Sequence, residues 1–360
     1  MTDAIKGRGA LSQPPGRFDK LTHTLEHDGW YEEEPPNKLE TVVMPENART
    51  VISRNQSPDI PFGQSINPYR GCSHACIYCY ARPSHAYVGL SPGLDFETKL
   101  FYKADAAAVL EKELAAPSYK CAPIMLGANT DPYQPLEKSL KVTRSLLEVL
   151  LRHKHPVAIT TKGALVVRDV DLLAQLARDG LTRVMFSIPT LDNEMKRVLE
   201  PRAAAAGAKL KAMRVLAEAG VPVGVLVAPI IPVLTEHEIE SVLEASREAG
   251  AQLAGYTLLR LPWEVKDLFR EWLAQHFPER AAHVMSIVRS MRGERDNDPA
   301  FGTRMHATGP VAQLIRQRFQ LACRRLGFPQ EPRGRQFSLA TNLFQPPLRT
   351  HPQLSLDLTP

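Results

Sequence analysis

Short apolar runs alternate with longer stretches of helical spacing through the middle of the chain, and the alternation stops near both ends. Runs at 65–68, 123–128, 157–161, 183–188, 223–228 and 256–259 are apolar on both sides of the backbone. A strand reads this way when both of its faces are covered, as in a parallel sheet. Between several of them lie segments with apolar residues every third or fourth position: ADAAAVLEKELA, SLKVTRSLLEVLLRH, VDLLAQLARDG, AKLKAMRVLAEAG and EIESVLEASREAG. Gly180, Gly220 and Gly250 each follow the last apolar turn, where a left-handed C-cap residue is favoured. Repeated strand–helix units predict an α/β fold with a parallel sheet and right-handed crossovers, either open and doubly wound or curled into a full or partial barrel.

The flanks read differently. Residues 1–62 are rich in Pro, Gly and acidic residues (DGWYEEEPPNK) with no sustained period, which predicts an extended, partly ordered arm. After Pro262 the strand signal ends, and EVKDLFREWLAQHF, RAAHVMSIVRSMRG and PVAQLIRQRFQLACRRLG predict a helical extension over 263–330, followed by a disordered tail over 331–360. The strand–helix core therefore spans 63–262. At 360 residues and 44% hydrophobic content the chain can bury a real core. Its first residues, MTDAIKGRGALSQPPGRF, contain no apolar run suited to a signal peptide or membrane span, and five cysteines are an odd number too small for a disulfide scaffold. These features predict a cytoplasmic protein without a membrane partner. A net charge of +5 permits an acidic partner such as nucleic acid without demanding one. From 263 to 336 there are 13 Lys and Arg against 8 Asp and Glu, an ordinary solvated helical face rather than a nucleic-acid stripe.

Three of the five cysteines crowd into NPYRGCSHACIYCYARPSHAY. Cys72, Cys76 and Cys79 have three and two residues between them, a loop short enough to wrap one inorganic centre. A structural zinc site wants four protein ligands, commonly two separated pairs; His74 or His85 could serve as a fourth, but no second pair exists. A ferredoxin-type cluster takes four cysteines, and no fourth is supplied here. A [4Fe-4S] cube held by three thiolates leaves one iron open to an exogenous ligand, which is what catalysis requires. The loop follows the first expected strand and so lies at the carboxyl end of the sheet, where strand–helix folds place their ligands. Polar residues breaking the apolar pattern fall at that end of later strands: Asn129, Thr130 and Asp131, then Lys162, then Ser187.

The C-x3-C-x2-C spacing with Tyr78 before the last cysteine resembles the signature of the radical S-adenosylmethionine (SAM) superfamily. GCSHACIYCYARPSH, NTDPYQPLE, ITTKG, RVMFSIPTLD, VLEP and LAEAGVPVGVLVAPIIP are similar to the branch related to spore photoproduct lyase, often labelled DNA-repair-photolyase-like, over roughly residues 64–260. The resemblance implies a partial (β/α)6 barrel over 63–262, with a [4Fe-4S] cluster on Cys72, Cys76 and Cys79, and SAM chelating the open iron. It implies SAM contacts from Thr130, Asp131, Lys162 and Ser187, residues whose charges and hydroxyls suit a sulfonium, an ammonium and a carboxylate. It implies catalytic positions for Tyr78 and Tyr80 near SAM and the reacting substrate. One electron from an external donor of flavodoxin or ferredoxin type then cleaves SAM to methionine and a 5′-deoxyadenosyl radical, which abstracts hydrogen, while the protein positions the substrate and excludes water.

One departure bears on the substrate. The lyase carries a hydrogen-returning cysteine just before its TSD stretch, and here that position is Ala128. Cys121 starts the second strand, roughly 23 Å away at about 3.3 Å per residue, and Cys323 reads as an apolar filler of an amphipathic helix. Repair of spore photoproduct itself is therefore not the expected activity. Glu200 and Arg202 could reach the site or form a solvated ion pair at a helix entry; His74 reads as a loop-stabilising hydrogen-bonder. RGERDNDPAFGTRMH, with Asn297, Asp298, Arg304 and His306, is long for a connection and could cover the substrate, and Arg70 could tune the cluster. The leading expectation is a radical SAM enzyme acting on a nucleic-acid substrate. The alternatives are radical SAM modification of a peptide or small metabolite, and a zinc- or cluster-containing nucleic-acid binder without turnover.

Overall fold

The computed structural model describes residues 5–19, 39–329 and 339–348; the expectations for 20–38 and for most of the tail lie outside the described residues. In chain order the strands are β1 (Val42–Glu46), β2 (Ile52–Arg54), β3 (Gln64–Ile66), β4 (Tyr69–Arg70), β5 (Lys99–Lys103), β6 (Ile124–Leu126), β7 (Val157–Thr161), β8 (Thr182–Ser187), β9 (Val223–Ile230) and β10 (Leu253–Leu258). All six apolar runs of the sequence become strands of one sheet, ordered β10-β9-β8-β7-β6-β3-β2. Its neighbours are parallel from β3 to β10, and β2 caps the edge antiparallel to β3.

The period of two divides each central strand between two environments. Ile124, Leu126, Val157, Ile159, Val184, Phe186, Val225 and Val227 point into the main hydrophobic cluster beneath the helices. The residues between them, Met125, Thr160, Met185 and Leu226, line a single cavity on the other face. One cavity touched by every strand from β6 to β10 means a curled sheet. Among the described residues its edges, β2 and β10, do not pair with each other, so the fold is the partial barrel rather than a closed one.

The covering helices are those the spacing predicts: Ala106–Leu114, Val142–Arg152, Val170–Arg178, Ala206–Glu218 and Ile239–Glu248. The last three are followed by Gly180, Gly220 and Gly250 at φ of +66°, +81° and +97°, the left-handed conformation that ends a helix without a Cβ penalty.

A second sheet, ordered β1-β5-β4, has no counterpart among the expected strands. It takes β1 from the N-terminal arm and lays it parallel to β5. Beyond β10 come helices Val265–His276, Pro278–Ser290 and Gly309–Arg325. Leu268, Phe269, Trp272 and Leu273 of the first pack with Ile77, Tyr78 and Leu199. This helix thereby backs the cysteine loop. Helix Gly309–Arg325 lies along Ile239–Glu248, held by Arg318–Glu240 at 2.6 Å. Among the described residues no helix is long and apolar enough to cross a membrane.

Candidate active site

The cysteine loop leaves the sheet after β4 through Gly71, whose φ of +74° and surroundings admit no side chain: a Cβ there would lie 2.6 Å from Leu100 and 2.9 Å from the Phe96 carbonyl. Cys72 N donates to Phe96 O at 2.9 Å, and tight turns follow, with Ala75 N on Cys72 O and Cys79 N on Cys76 O. Cys72 and Cys76 are buried, Cys79 is half-buried, and all three line the cavity. Inside the loop Arg82 is fully buried; its Nε donates to Cys76 O at 3.0 Å, its Nη1 to Pro92 O and Gly93 O, and its Nη2 pairs with Glu97. Glu97 in turn accepts Gly9 N and Ala10 N at 3.0 and 2.9 Å. The arm is thus strapped across the outside of the loop.

Opposite the thiols, the carboxyl ends of β7 and β8 bring Lys162 and Ser187 together, with Lys162 Nζ donating to Ser187 Oγ at 2.9 Å and lying 5.8 Å from the Tyr78 ring centre. Burial works against the Lys162 ammonium, but Glu200, Cys76 and Asp131 outweigh it and raise its pKa. Burial, then the Glu200 charge, pushes the Cys76 thiol up, so a thiolate here needs a cation to neutralise it. Among the described residues no three His, Cys, Asp or Glu side chains converge on a point that would hold one metal ion. Three thiols on one short loop are a sulfur donor set of the kind that holds an iron–sulfur cluster.

The remaining expected residues are brought to the same end of the sheet in different roles. Asp131 accepts from Tyr133 N at 2.8 Å, Thr161 Oγ1 at 2.7 Å and Lys162 N at 2.6 Å, and its Oδ2 lies 3.4 Å from His74 Nδ1. Against the opposing effect of burial, His74 and these donors hold Asp131 at about 2, and Asp131 and Cys72 hold His74 at about 9. Asp131 therefore ties the ends of β6 and β7 to the cysteine loop. Thr130 is buried and donates to Tyr69 O at 2.8 Å. Tyr80 projects into the cavity with its hydroxyl on the Ala128 carbonyl.

Glu200 is no solvated ion pair. It is fully buried, accepts from the Tyr78 hydroxyl, and pairs with Lys209 at 2.9 Å; Lys209 also donates to Ser187 O at 2.9 Å. The expected companion Arg202 is exposed and does not pair with Glu200 among the described residues; its backbone N donates to His74 O at 3.2 Å. Lys209 escaped the sequence reading, although a charged residue on the stripe of Ala212, Met213 and Leu216 was a signal of it. Arg70 turns away to Glu46 at 2.6 Å. His85 is buried with its Nε2 2.9 Å from Lys99 O. Cys323 also lines the cavity, in the same hydrophobic core cluster as Phe319 and Ala322; Cys121 does not line it.

The cavity holds about 1380 Å³. Arg17, Arg183, Arg260, Arg304 and Arg316, which the sequence leaves far apart, line it, and Arg17, Arg260 and Arg304 share the lining with Tyr80, Tyr87 and Trp263. From the 292–306 loop Arg304 and His306 reach the lining whereas Asn297 and Asp298 do not; Arg304 Nε and Gly302 N both donate to Asp59, each at 2.8 Å. Arg260 Nη1 reaches Met305 Sδ at 3.0 Å, and its Nε is buried without a hydrogen-bond partner among the described residues.

The sequence model of the Radical SAM superfamily matches residues 66–245. An uncharacterized protein of Mycobacterium tuberculosis is 36% identical over 232 residues, covering 64% of this chain and 68% of that protein. An uncharacterized protein of Methanocaldococcus jannaschii is 27% identical over 219 residues, covering 59% of this chain and 76% of that protein. Among solved structures, spore photoproduct lyase complexed with dinucleoside spore photoproduct shares the fold over 79% of both chains, with a TM-score of 0.57 at 17% identity. A variant of that lyase with bound AdoMet and dinucleoside spore photoproduct gives 0.55 at 17% identity over the same 79% of each chain. Since the superfamily's pattern runs through half of the chain, from the first core strand into helix Ile239–Glu248, the chain belongs to the radical SAM superfamily and is an enzyme whose cofactors are a [4Fe-4S] cluster and S-adenosylmethionine.

Proposed function

We propose that Cys72, Cys76 and Cys79 bind the cluster, that Thr130, Lys162 and Ser187 border the SAM seat with Asp131 holding them in place, and that the enzyme abstracts hydrogen from a nucleic-acid substrate at the cavity mouth. When bound, the cluster and SAM supply a 5′-deoxyadenosyl radical once an external one-electron donor of flavodoxin or ferredoxin type has reduced the cluster. The observation that carries the reading is a single cavity joining the three thiols of the cysteine loop, a half-buried ammonium whose charge the neighbouring acidic groups favour, and several guanidinium groups. Lys162 offers a fixed cation to the carboxylate of SAM, and Ser187 orients it. Tyr78 and Tyr80 flank Cys79, with the Tyr80 hydroxyl against residue 128, where the lyase has its hydrogen-returning cysteine; these two rings are our candidates for contact with the substrate and its radical. Burial, then the neighbouring Arg304 charge, lowers the pKa of Arg260, and a phosphate would relieve that repulsion while pairing an Nε that has no hydrogen-bond partner among the described residues. Thiols and a reducible cluster suit the reducing cytoplasm.

The test is anaerobic reconstitution followed by reduction with dithionite in the presence of SAM. The reading expects iron-dependent visible absorption and formation of 5′-deoxyadenosine, both lost in Cys79→Ala. With deuterated DNA or RNA present, it expects deuterium in the 5′-deoxyadenosine. A full iron load and intact SAM cleavage in Cys79→Ala defeat the cluster assignment. SAM cleavage without label from either nucleic acid, but with label from a peptide or metabolite, defeats the substrate assignment.

A further inference from the structure

Among the described residues, every exposed aromatic side chain gathers at one place. Phe18, Tyr80, Tyr87, Trp263 and Phe301 are between 53% and 69% exposed, and each lines the cavity or packs against an arginine that does. Tyr80, Tyr87 and Trp263 line it directly. Phe18 reaches it through Arg17, whose guanidinium carbon lies 5.1 Å from the Phe18 ring centre, 5.3 Å from Tyr87 and 4.6 Å from Trp263. Phe301 adjoins the lining residue Gly302 and packs against Arg304 at 4.4 Å. The remaining large exposed apolar residues are aliphatic and none lines the cavity.

Aromatic rings concentrated in water around one opening mark a binding surface. Their chemistry says for what. Each station pairs ring faces with a guanidinium already fixed by the protein: Arg17 Nη2 on Pro83 O at 3.3 Å and Arg304 on Asp59. Such stations stack on the flat faces of nucleobases, while the arginines take the phosphates between them. A duplex buries those faces in its own stack and offers only groove edges and backbone, for which cations without exposed rings suffice.

We propose, resting on the nucleic-acid reading above, that this rim binds a single strand or a strand with unpaired bases, held at one station by Arg17, Tyr87 and Trp263 and at the other by Phe301 and Arg304, with Arg260 as a phosphate contact. Both stations border the cavity that Tyr80 lines, and the base delivered to Tyr80 is one already free of pairing.

The experiment measures fluorescence anisotropy of labelled oligonucleotides of about 15 nucleotides on the anaerobically reconstituted protein, without reductant, comparing single-stranded DNA, single-stranded RNA and the corresponding duplex at one salt concentration. The expected result is binding to single strands at least about tenfold tighter than to duplex. Trp263→Ala and Phe301→Ala should each weaken it about 5- to 100-fold, and Trp263→Phe should retain most of it. The two single-stranded arms tell DNA from RNA, and circular dichroism confirms that the variants fold. Equal or tighter binding of duplex, unchanged affinity in both alanine variants, or no binding of any strand overturns the proposal. Because no SAM turnover is read, the result stands apart from the radical chemistry: duplex binding without a single-strand preference sinks this inference alone, no binding of any nucleic acid sinks it together with the nucleic-acid substrate, and binding without SAM cleavage sinks the radical reading alone.

Discussion

Lys209 and Glu200 show how a few buried charges can shape the wall of a catalytic cavity without facing it. Lys209 fixes Ser187 by its carbonyl and Glu200 by its carboxylate, and Glu200 fixes the hydroxyl of Tyr78. Burial opposes the Glu200 charge, but Lys209, Lys162 and Tyr78 keep its pKa below the ordinary value. Removing one member of such a pair leaves the other charged and dry. Lys209→Met and Glu200→Gln should therefore each destabilise the protein, Lys209→Met by about 3–5 kcal/mol, and the double variant should lose clearly less than the sum of the two. Denaturant unfolding of the four proteins checks this, and additive losses would show that the pair is not coupled. The sequence offered Glu200 as a candidate because it lies in the VLEP stretch that carries part of the family resemblance, just before a helix. It offered the wrong partner, since Arg202 is nearer in the chain, and only the helix Ala206–Glu218 turning its apolar stripe inward selects Lys209.

At the scale of elements, the core strands were legible because all but the edge strand β10 bury both faces, so their runs stand out without knowledge of their neighbours. The second sheet was not. β4 spans Tyr69–Arg70, and β1 and β5 are partly exposed; their pairing is set by distant chain rather than by pattern. The same holds for the N-terminal arm, whose composition reads as loosely ordered although residues 8–10 are clasped by Glu97. That clasp brings backbone against backbone: a Cβ on Gly9 would lie 1.9 Å from the Ala75 carbonyl oxygen, next to Cys76. Gly9→Ala should lift the arm off the cysteine loop. Limited proteolysis should then cut the arm several-fold faster than in the parent protein, and an unchanged cleavage rate would mean that the arm does not strap the loop.

For the whole molecule, the cysteine triplet and the polar strand ends announced one face of the sheet, and the structure gathers them around one cavity. The mouth was illegible because its arginines and aromatics come from residues 17–18, 80–87, 260–263 and 301–304, four stretches with no shared period. Read along the chain they are isolated surface residues, and they become a surface only when the arm, the cysteine loop, the end of β10 and the 292–306 loop meet. The account of this whole arrangement rests on three thiolates leaving one iron free for SAM. The most direct measurement is electron–nuclear double resonance on the reduced, reconstituted protein with SAM labelled with nitrogen-15 in its amino group and oxygen-17 in its carboxylate. The account predicts hyperfine coupling of both labels to the cluster's unpaired spin. Absence of both couplings, with the cluster's resonance unchanged by saturating SAM, would contradict it.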